Sequence, residues 1–433
     1  MSARQTALSA LIACRRRNAW SDGVLKEYIA RDGLDRRDAA LASRLCYGVL
    51  QNQQLLDFYI ASFLKCKLKD LQPVVLDILR LGAYQITMND KIPVSASVNE
   101  AVEQGKKYAN RQAAGLINGV LRAMTRAEKL PEPPDLATRY SHPAALVELL
   151  RENVGDELLP ELLKSHNSAP PTTVQVNTTR ITAKEAAQIL EKQGVGVEKH
   201  PWLTDCFFLN GTGSIEALEA FRDGLVYVQD PAARLAAICA GVEPGMQVLD
   251  CCAAPGGKSF AAAIEMKNQG SILSCDIHPH KLTLIEKGAE RLGLTIIKTG
   301  LQDASAFVPE WENAMDAVIA DVPCSGLGVI RKKPDIRYKD LSRIGQLPEV
   351  QRAILEQQAR YVRPGGVLLY STCTIIRAEN EAVVENFLQH HPEFQAEMLP
   401  LPEACGLSGT MATFLPCIHG TDGFFIAKMR KIQ

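Results

Sequence analysis

Cys324 and Cys373 stand in short polar turns, DVPCSG (Asp321 to Gly326) and YSTCT (Tyr370 to Thr374), each following an apolar run of strand character. A cysteine is most often a small buried hydrophobe, and Cys14, Cys46, Cys66, Cys239 and Cys275 read that way. Two thiols in polar turns at strand ends suit covalent chemistry instead, because a thiolate facing a cavity is a strong carbon nucleophile. A disulfide between them is disfavoured in a reducing compartment. Asp321 opens the first turn and adds a carboxylate to the set.

A third candidate is VLDCCAAPGGKS, Val248 to Ser259, in which a strand feeds a Gly-rich turn and then an Ala-rich helix. Backbone N–H groups at such a turn can meet a polar or anionic cofactor. Three readings compete. A phosphate-binding loop needs a glycine five residues before Gly257, where Cys252 stands; a dinucleotide site needs GxGxxG, and only Gly256 and Gly257 are present. S-adenosylmethionine enzymes use the same strand, turn and helix with a looser glycine pattern. Lys258 is either a solvated lysine at a helix start or a group that lowers a thiolate pKa or meets phosphate. Asp276, closing the next strand about 20 residues further on, is placed to accept hydrogen bonds from ribose hydroxyls, or else caps the helix that follows.

The elements that must hold these residues alternate. MQVLD, SILSCD, MDAVIAD and GVLLYST read as strands, with helical segments between them, which predicts a parallel, doubly wound sheet over residues 231–433. In such a sheet the carboxyl ends of the strands face one crevice, so Cys324 and Cys373 are expected to share a cavity. Residues 171–230 read as a small α+β module: strand TTVQVNTTR, helix TAKEAAQILEKQG, then short strands VGVEKH, CFFLN and GLVYVQ. LPEPPDLATRYSHP, with four prolines in Leu130–Pro143, opens a linker and helical connector over 131–170. Residues 1–130 predict an all-helical bundle of five or six short helices. One periodic stretch starts at Leu41, and another helix starts at Ser95 or Ser97, behind Pro93.

Length and composition bound the function. A chain of 433 residues suggests about three domains, and 46% hydrophobic with 22% charged residues excludes collagen, coiled coil and wholesale disorder. There is no apolar run of 18 residues, and Arg15, Arg16 and Arg17 follow the first apolar patch instead of preceding it, so a cytoplasmic chain is expected. The twelve cysteines include no CxxC pair, so no metal is expected. The net charge of −1 hides an asymmetry: residues 1–130 carry 20 Lys and Arg against 12 Asp and Glu, the remainder 28 against 37. A basic module on a neutral whole points to a polyanion partner, unless it is only a solvated helical surface.

DCCAAPGGK, DVPCSG and YSTCT, in this order and spacing, resemble the RNA 5-methylcytosine methyltransferases of the Sun/Fmu (RsmB) group. VQDPAARL (Val228 to Leu235), VIRKKPDIRY (Val329 to Tyr338) and DGFFIAKM (Asp422 to Met429) extend the likeness, and YGVLQNQQLLD, IPVSASVNEAV and LINGVLR resemble the NusB-like RNA-binding domain of that group. The resemblance implies a Rossmann-like catalytic domain that uses S-adenosylmethionine, preceded by the α+β module and a NusB-like bundle. It implies that Cys252, Ala253, Ala254, Pro255, Gly256, Gly257 and Lys258 line the cofactor, that Asp276 holds its ribose, that Asp303 sits near its adenine and that Asp321 lies near the methyl donor and the cytosine N3/N4 edge. DNA cytosine methyltransferases carry their nucleophile in the PC turn, so residue types alone leave the two thiols interchangeable. The resemblance makes Cys373 the nucleophile and Cys324 the group that assists product release. Two departures stand out: Cys251 replaces a common Leu or other apolar residue, and Pro231 with Ala232 replaces small polar residues.

The resemblance further implies a loop cytosine of 16S ribosomal RNA as substrate and, for the chain itself, a monomer. Arg331, Lys332, Lys333 and Arg337, with the basic helical domain, offer phosphate contacts. The competing reading is an RNA-binding or antitermination factor with a retired catalytic half. The joint presence of Cys324, Cys373 and Asp321 argues for the enzyme.

Overall fold

The computed structural model describes residues 1–17, 19–89 and 92–432. The chain divides into two units, one formed by Met1–Ser168 with Ile330–Lys339 and the other by Ala169–Val329 with Asp340–Gln433.

The first unit is helical: α1 (Ala3–Arg17), α2 (Ser21–Asp32), α3 (Arg36–Gln51), α4 (Gln53–Phe63), α5 (Pro73–Met88), α6 (Val94–Tyr108), α7 (Arg111–Arg126), α8 (Leu136–Tyr140) and α9 (Ala144–His166). Seven of these precede residue 127, more than the five or six expected. The stretch that begins at Leu41 is broken at Asn52, whose amide Nδ2 donates to the Gly48 carbonyl at 2.9 Å, so α4 starts afresh one residue later. Neither Ser95 nor Ser97 caps α6. The helix starts directly behind Pro93, and Ser97 lies inside it, its hydroxyl turned back to the Pro93 carbonyl at 3.4 Å. Leu8, Leu45, Leu56, Ile60, Ile78, Ile117 and Leu121, recurring at helical spacing, close a common core.

Residues 330–339 complete this unit. Arg337 is fully buried, and its guanidinium donates to the carbonyls of Gln51 (2.8 Å) and Ser141 (3.0 Å) and to Asn167 Oδ1 (3.0 Å). Burial pulls its pKa down to about 10. Beside it lie the buried imidazoles of His142 and His166, 3.1 Å apart, and burial next to this cation holds His166 down at about 3. The expected phosphate contact at Arg337 is therefore corrected: a guanidinium enclosed by carbonyls holds this unit together and is out of reach of a phosphate. Arg331 is also buried, whereas Lys333 is exposed.

The second unit begins with an antiparallel sheet in the order β2-β3-β1-β4, from β1 (Thr172–Val176), β2 (Gly196–Lys199), β3 (Cys206–Asn210) and β4 (Val226–Val228). Two helices accompany it, α10 (Ala183–Lys192) and α11 (Glu219–Arg222). Thr182 and Glu185 form a reciprocal capping box at the start of α10.

After α12 (Pro231–Cys239) the larger sheet is built from β5 (Gln247–Asp250), β6 (Ser271–Asp276), β7 (Ile297–Leu301), β8 (Met315–Asp321), β9 (Val362–Thr372), β10 (Phe394–Ala396), β11 (Met411–Phe414) and β12 (Phe424–Lys431). Its order is β10-β12-β9-β8-β5-β6-β7, with β11 also on β12. The helices α13 (Gly257–Glu265), α14 (Pro279–Leu292), α15 (Leu347–Tyr361), α16 (Glu381–His390) and α17 (Pro416–His419) link the strands. Alternate residues divide between two cores: Ala317, Ile319, Val367 and Leu369 pack with α12, α13 and α14, while Val318, Ala320, Leu368 and Tyr370 pack with α15 and α16. That two-sided burial marks a doubly wound sheet. The expected all-parallel sheet holds only from β9 to β7; β12 runs antiparallel to β9, β10 and β11. Strand order reverses between β5 and β8, the place where doubly wound sheets bind ligands.

Candidate active site

The Gly-rich turn leaves β5 at Asp250 and enters α13 at Gly257. Gly256 has φ of 110°, and a Cβ there would lie 2.4 Å from the Phe260 ring, so only glycine allows this corner. Ala253 N donates to the Cys275 carbonyl (2.8 Å) and Gly256 N to the Ala253 carbonyl (2.7 Å), fixing the turn to β6. Cys251, which replaces the usual apolar residue, is buried behind it. Asp250 was not singled out from the sequence. It is fully buried, and its Oδ2 accepts from Ser259 Oγ at 2.7 Å, which in turn accepts from Ser274 Oγ at 2.7 Å. Burial pushes the Asp250 carboxyl up to about 7.

Lys258 is not a solvated lysine at a helix start. It is buried, its Nζ lies 2.6 Å from Asp321 Oδ2 and 5.0 Å from the centre of the Phe424 ring, and Ser371 Oγ donates to the other Asp321 oxygen at 2.7 Å. The carboxylate at the end of β8 is thus aimed by α13 and β9 together.

The cysteine turns meet at the ends of β8 and β9. The Cys324 and Cys373 sulfurs are 3.3 Å apart and both residues are half-buried. The hydrogen bond to Cys373, reinforced by burial, pushes the Cys324 thiol well up. Ser325 and Thr374 hydroxyls join the turns at 2.8 Å, and Gly328 N donates to the Cys373 carbonyl at 3.0 Å. Glu379, fully buried, accepts from Ser325 N (2.8 Å) and from Gln351 Nε2 (3.0 Å), which also reaches the Pro323 carbonyl. Asn380 bridges Thr372 Oγ1 and the Thr374 carbonyl. Sequence reasoning missed Gln351, Glu379 and Asn380. The run RAENE just after YSTCT was the available signal, because acids and amides that close are seldom buried without a partner to hold.

Along β6 and β7 the edge sets one buried carboxylate beside exposed apolar side chains. Asp276 Oδ1 accepts from His278 N at 2.9 Å and lies 3.8 Å from Lys281 Nζ. Ile277 and Leu301, also missed, are 54% and 61% exposed, and Leu301 pairs with Asp276 in the ladder. Asp303 lies two residues past β7, its carboxylate engaged by Ser305 N (2.9 Å) and Oγ (2.7 Å), which hold its pKa down. The structure therefore gathers Cys324, Cys373, Asp321 and Lys258 at one part of the sheet edge and lays Asp276 and Asp303 along another. Cys66 departs from expectation: it is exposed, three residues past α4, where no core covers it.

No described helix is long and apolar enough to cross a membrane. Three family models match in succession: the NusB family over residues 1–126, the ferredoxin-like domain of RsmF/B-like methyltransferases over 142–216, and 16S rRNA methyltransferase RsmB/F over 237–430. The chain is 38% identical to the probable ribosomal RNA small subunit methyltransferase B of Bacillus subtilis, with 99% of each chain covered. It is 34% identical to the protein of the same name from Synechocystis, with 100% of each covered. The solved structure of PH0851 matches 98% of both chains with a TM-score of 0.81 at 27% identity. By sequence over its whole length, the chain belongs to the RsmB/F family of 16S rRNA methyltransferases.

Proposed function

We propose that this member of a family of S-adenosylmethionine-dependent ribosomal RNA methyltransferases modifies carbon 5 of a cytosine in 16S ribosomal RNA through a covalent adduct on Cys373. The observation that carries the reading is the pair of sulfurs 3.3 Å apart, beside a carboxylate held by Lys258 and Ser371.

The residues around the Gly-rich turn fit the cofactor. Asp250 Oδ1 and Gln229 Oε1 are buried acceptors without a protein partner, and a Cβ on Gly257 would lie 3.2 Å from Gln229 Nε2, so both acceptors border the turn. Asp276 supplies a carboxylate for the ribose hydroxyls, Ile277 and Leu301 offer apolar surface to the adenine, and Asp303 lies at the same end. Backbone from Cys252 to Lys258 lines the remainder. Bound there, S-adenosylmethionine supplies an electrophilic methyl group.

Carbon 5 of cytosine is a weak nucleophile. Addition of the Cys373 thiolate to C6 turns C5 into an enamine carbon able to take the methyl group. Asp321, oriented by Lys258 and Ser371, meets the N3/N4 edge and, carrying a proton when the base binds, passes it to N3 as the thiolate adds, which cancels the charge that develops there. Water then takes the C5 proton, the electron pair of that bond re-forms the C5–C6 double bond as the C6–S bond breaks, the N3 proton returns to Asp321, and Cys373 leaves as the thiolate, with Cys324 assisting this release. Adduct formation needs both faces of the base free, so the target is an unpaired or flipped cytosine.

The test uses methyl-labelled S-adenosylmethionine with naked 16S RNA and with small subunits. Cys373→Ala is expected to lose all methyl transfer and keep cofactor binding, whereas Cys324→Ala accumulates an RNA–protein adduct stable in SDS. The reverse pattern exchanges the two roles. Absence of labelled 5-methylcytosine with the wild-type chain, cofactor binding being intact, moves the reading to an RNA-binding scaffold.

A further inference from the structure

Trp20 is the one described tryptophan with an exposed ring: it stands 51% open at the start of α2, three residues after the arginines that end α1. Half of its surface is open to water, and charged side chains of both signs stand around it. The segment 330–339 brings Lys332 and Lys333 to the same place, and with Trp20, Ser21, Asp22 and Asp335 they line a cavity of about 200 Å³. Lys339 Nζ lies 5.0 Å from the centre of the Trp20 ring. The two acids face the same groove. Asp335 accepts from Ser21 Oγ at 2.5 Å, across 314 positions of sequence, and Asp22 lies 3.4 Å from Lys26 Nζ and 3.3 Å from the Tyr47 hydroxyl. Arg16, Arg17 and Lys333 are all exposed on this unit.

We propose that this groove on the helical unit is a binding subsite for single-stranded RNA, in which an unpaired base stacks on Trp20 and its flanking phosphates meet Lys332 and Lys333. The inference rests on the reading that the chain acts on RNA and adds where, and in what form, a second stretch of that RNA is held. Charge favours a polyanion over a protein partner, since residues 1–130 carry 20 basic against 12 acidic side chains. The cavity has room for one flat heterocycle, not for a helix or strand of a partner. An aromatic face rimmed by lysines is also how single strands are held without regard to sequence, and a paired base has no face free for it.

The test measures affinity of the full chain for a short fluorescein-labelled single-stranded RNA and for the same strand fully paired. Trp20→Ala is expected to weaken single-strand binding about tenfold. Trp20→Phe keeps affinity within about threefold, because phenylalanine still stacks, and abolishes the tryptophan quenching that RNA causes in the wild type. Lys332→Ala with Lys333→Ala lowers the slope of log affinity against log salt by about 1.4, the share of two phosphates on a single strand. Unchanged single-strand affinity in Trp20→Ala overturns the assignment, as does an equal loss for paired RNA. If methylation by that variant is intact, the proposed reaction survives and only the subsite falls. A wild-type chain that binds no RNA overturns both.

Discussion

The two halves of the larger sheet's carboxyl edge are built on opposite terms. Around Cys324 and Cys373 the polar groups are buried and tied to one another: Glu379 to Ser325 and Gln351, Asn380 to both sides of Cys373, Ser325 to Thr374. Around Asp276 the carboxylate is buried, but its neighbours Ile277 and Leu301 are exposed to water and Asp303 is held by Ser305 of its own turn. Covalent addition demands sulfur and carboxylate placed to fractions of an ångström before the base arrives, whereas a cofactor that binds and leaves needs a surface it can cover. On the proposed reaction, the difference separates a part of the site that sets rate from a part that sets affinity.

The comparison breaks most readily at Gly328. A Cβ there would stand 1.9 Å from the Gly423 carbonyl oxygen and 2.8 Å from that of Cys373, both backbone atoms. Gly328→Ala is expected to cost about 3 kcal/mol in a thermal melt, and methylation falls about 100-fold because the cysteine turn must move. An unchanged kcat would show that the turns do not depend on that contact.

Asp250, where the two halves meet, titrates. Its carboxyl is raised to about 7 in the fold from about 3.9 when unfolded, so between these values the native state holds a proton that the unfolded chain has released. Its contribution to stability is complete below about pH 4 and is lost as pH rises through 7, a fall of about 2 kcal/mol between pH 5 and 7. Asp250→Asn, neutral throughout, should flatten that part of the melting profile relative to the wild type.

Two milder substitutions separate rate from affinity. Glu379→Gln keeps the shape of the clamp and removes the charge that Ser325 N and Gln351 donate to. It lowers kcat about tenfold and leaves the dissociation constant for S-adenosylmethionine unchanged. Ile277→Ala does the converse, raising KM for the cofactor about fivefold at constant kcat. If both variants moved the same parameter, the division of the edge would be wrong.

Much of this edge was legible in sequence because strand ends and turns are local features. SILSCD is β6 from its first residue to its last, and the polar turns holding both thiols follow β8 and β9 directly. Long-range pairing was not legible. FFIAKM, apolar apart from Lys428, has the pattern of a central strand, which says nothing of direction, and it runs antiparallel. A lysine after two glycines reads either as solvated or as a site group, and only the sheet, which brings Asp321 within its reach, decides between them. Arg337 sits in a string of charges that reads as a phosphate contact, and only tertiary structure reveals that neutral carbonyls surround it.

The enclosure of Arg337 also has a meaning in time. Its acceptors at Gln51, Ser141 and Asn167 leave the ribosome some 170 residues or more before the guanidinium does. At about 5–20 residues per second, those acceptors wait roughly ten seconds to a minute for their donor. During synthesis the helical unit therefore passes through a stage with a hollow where Arg337 will sit, and most of the catalytic unit has emerged before that hollow is filled. Vectorial folding of this chain is not simply N-terminal unit first: the last stitch of the first unit is made from within the second half of the chain.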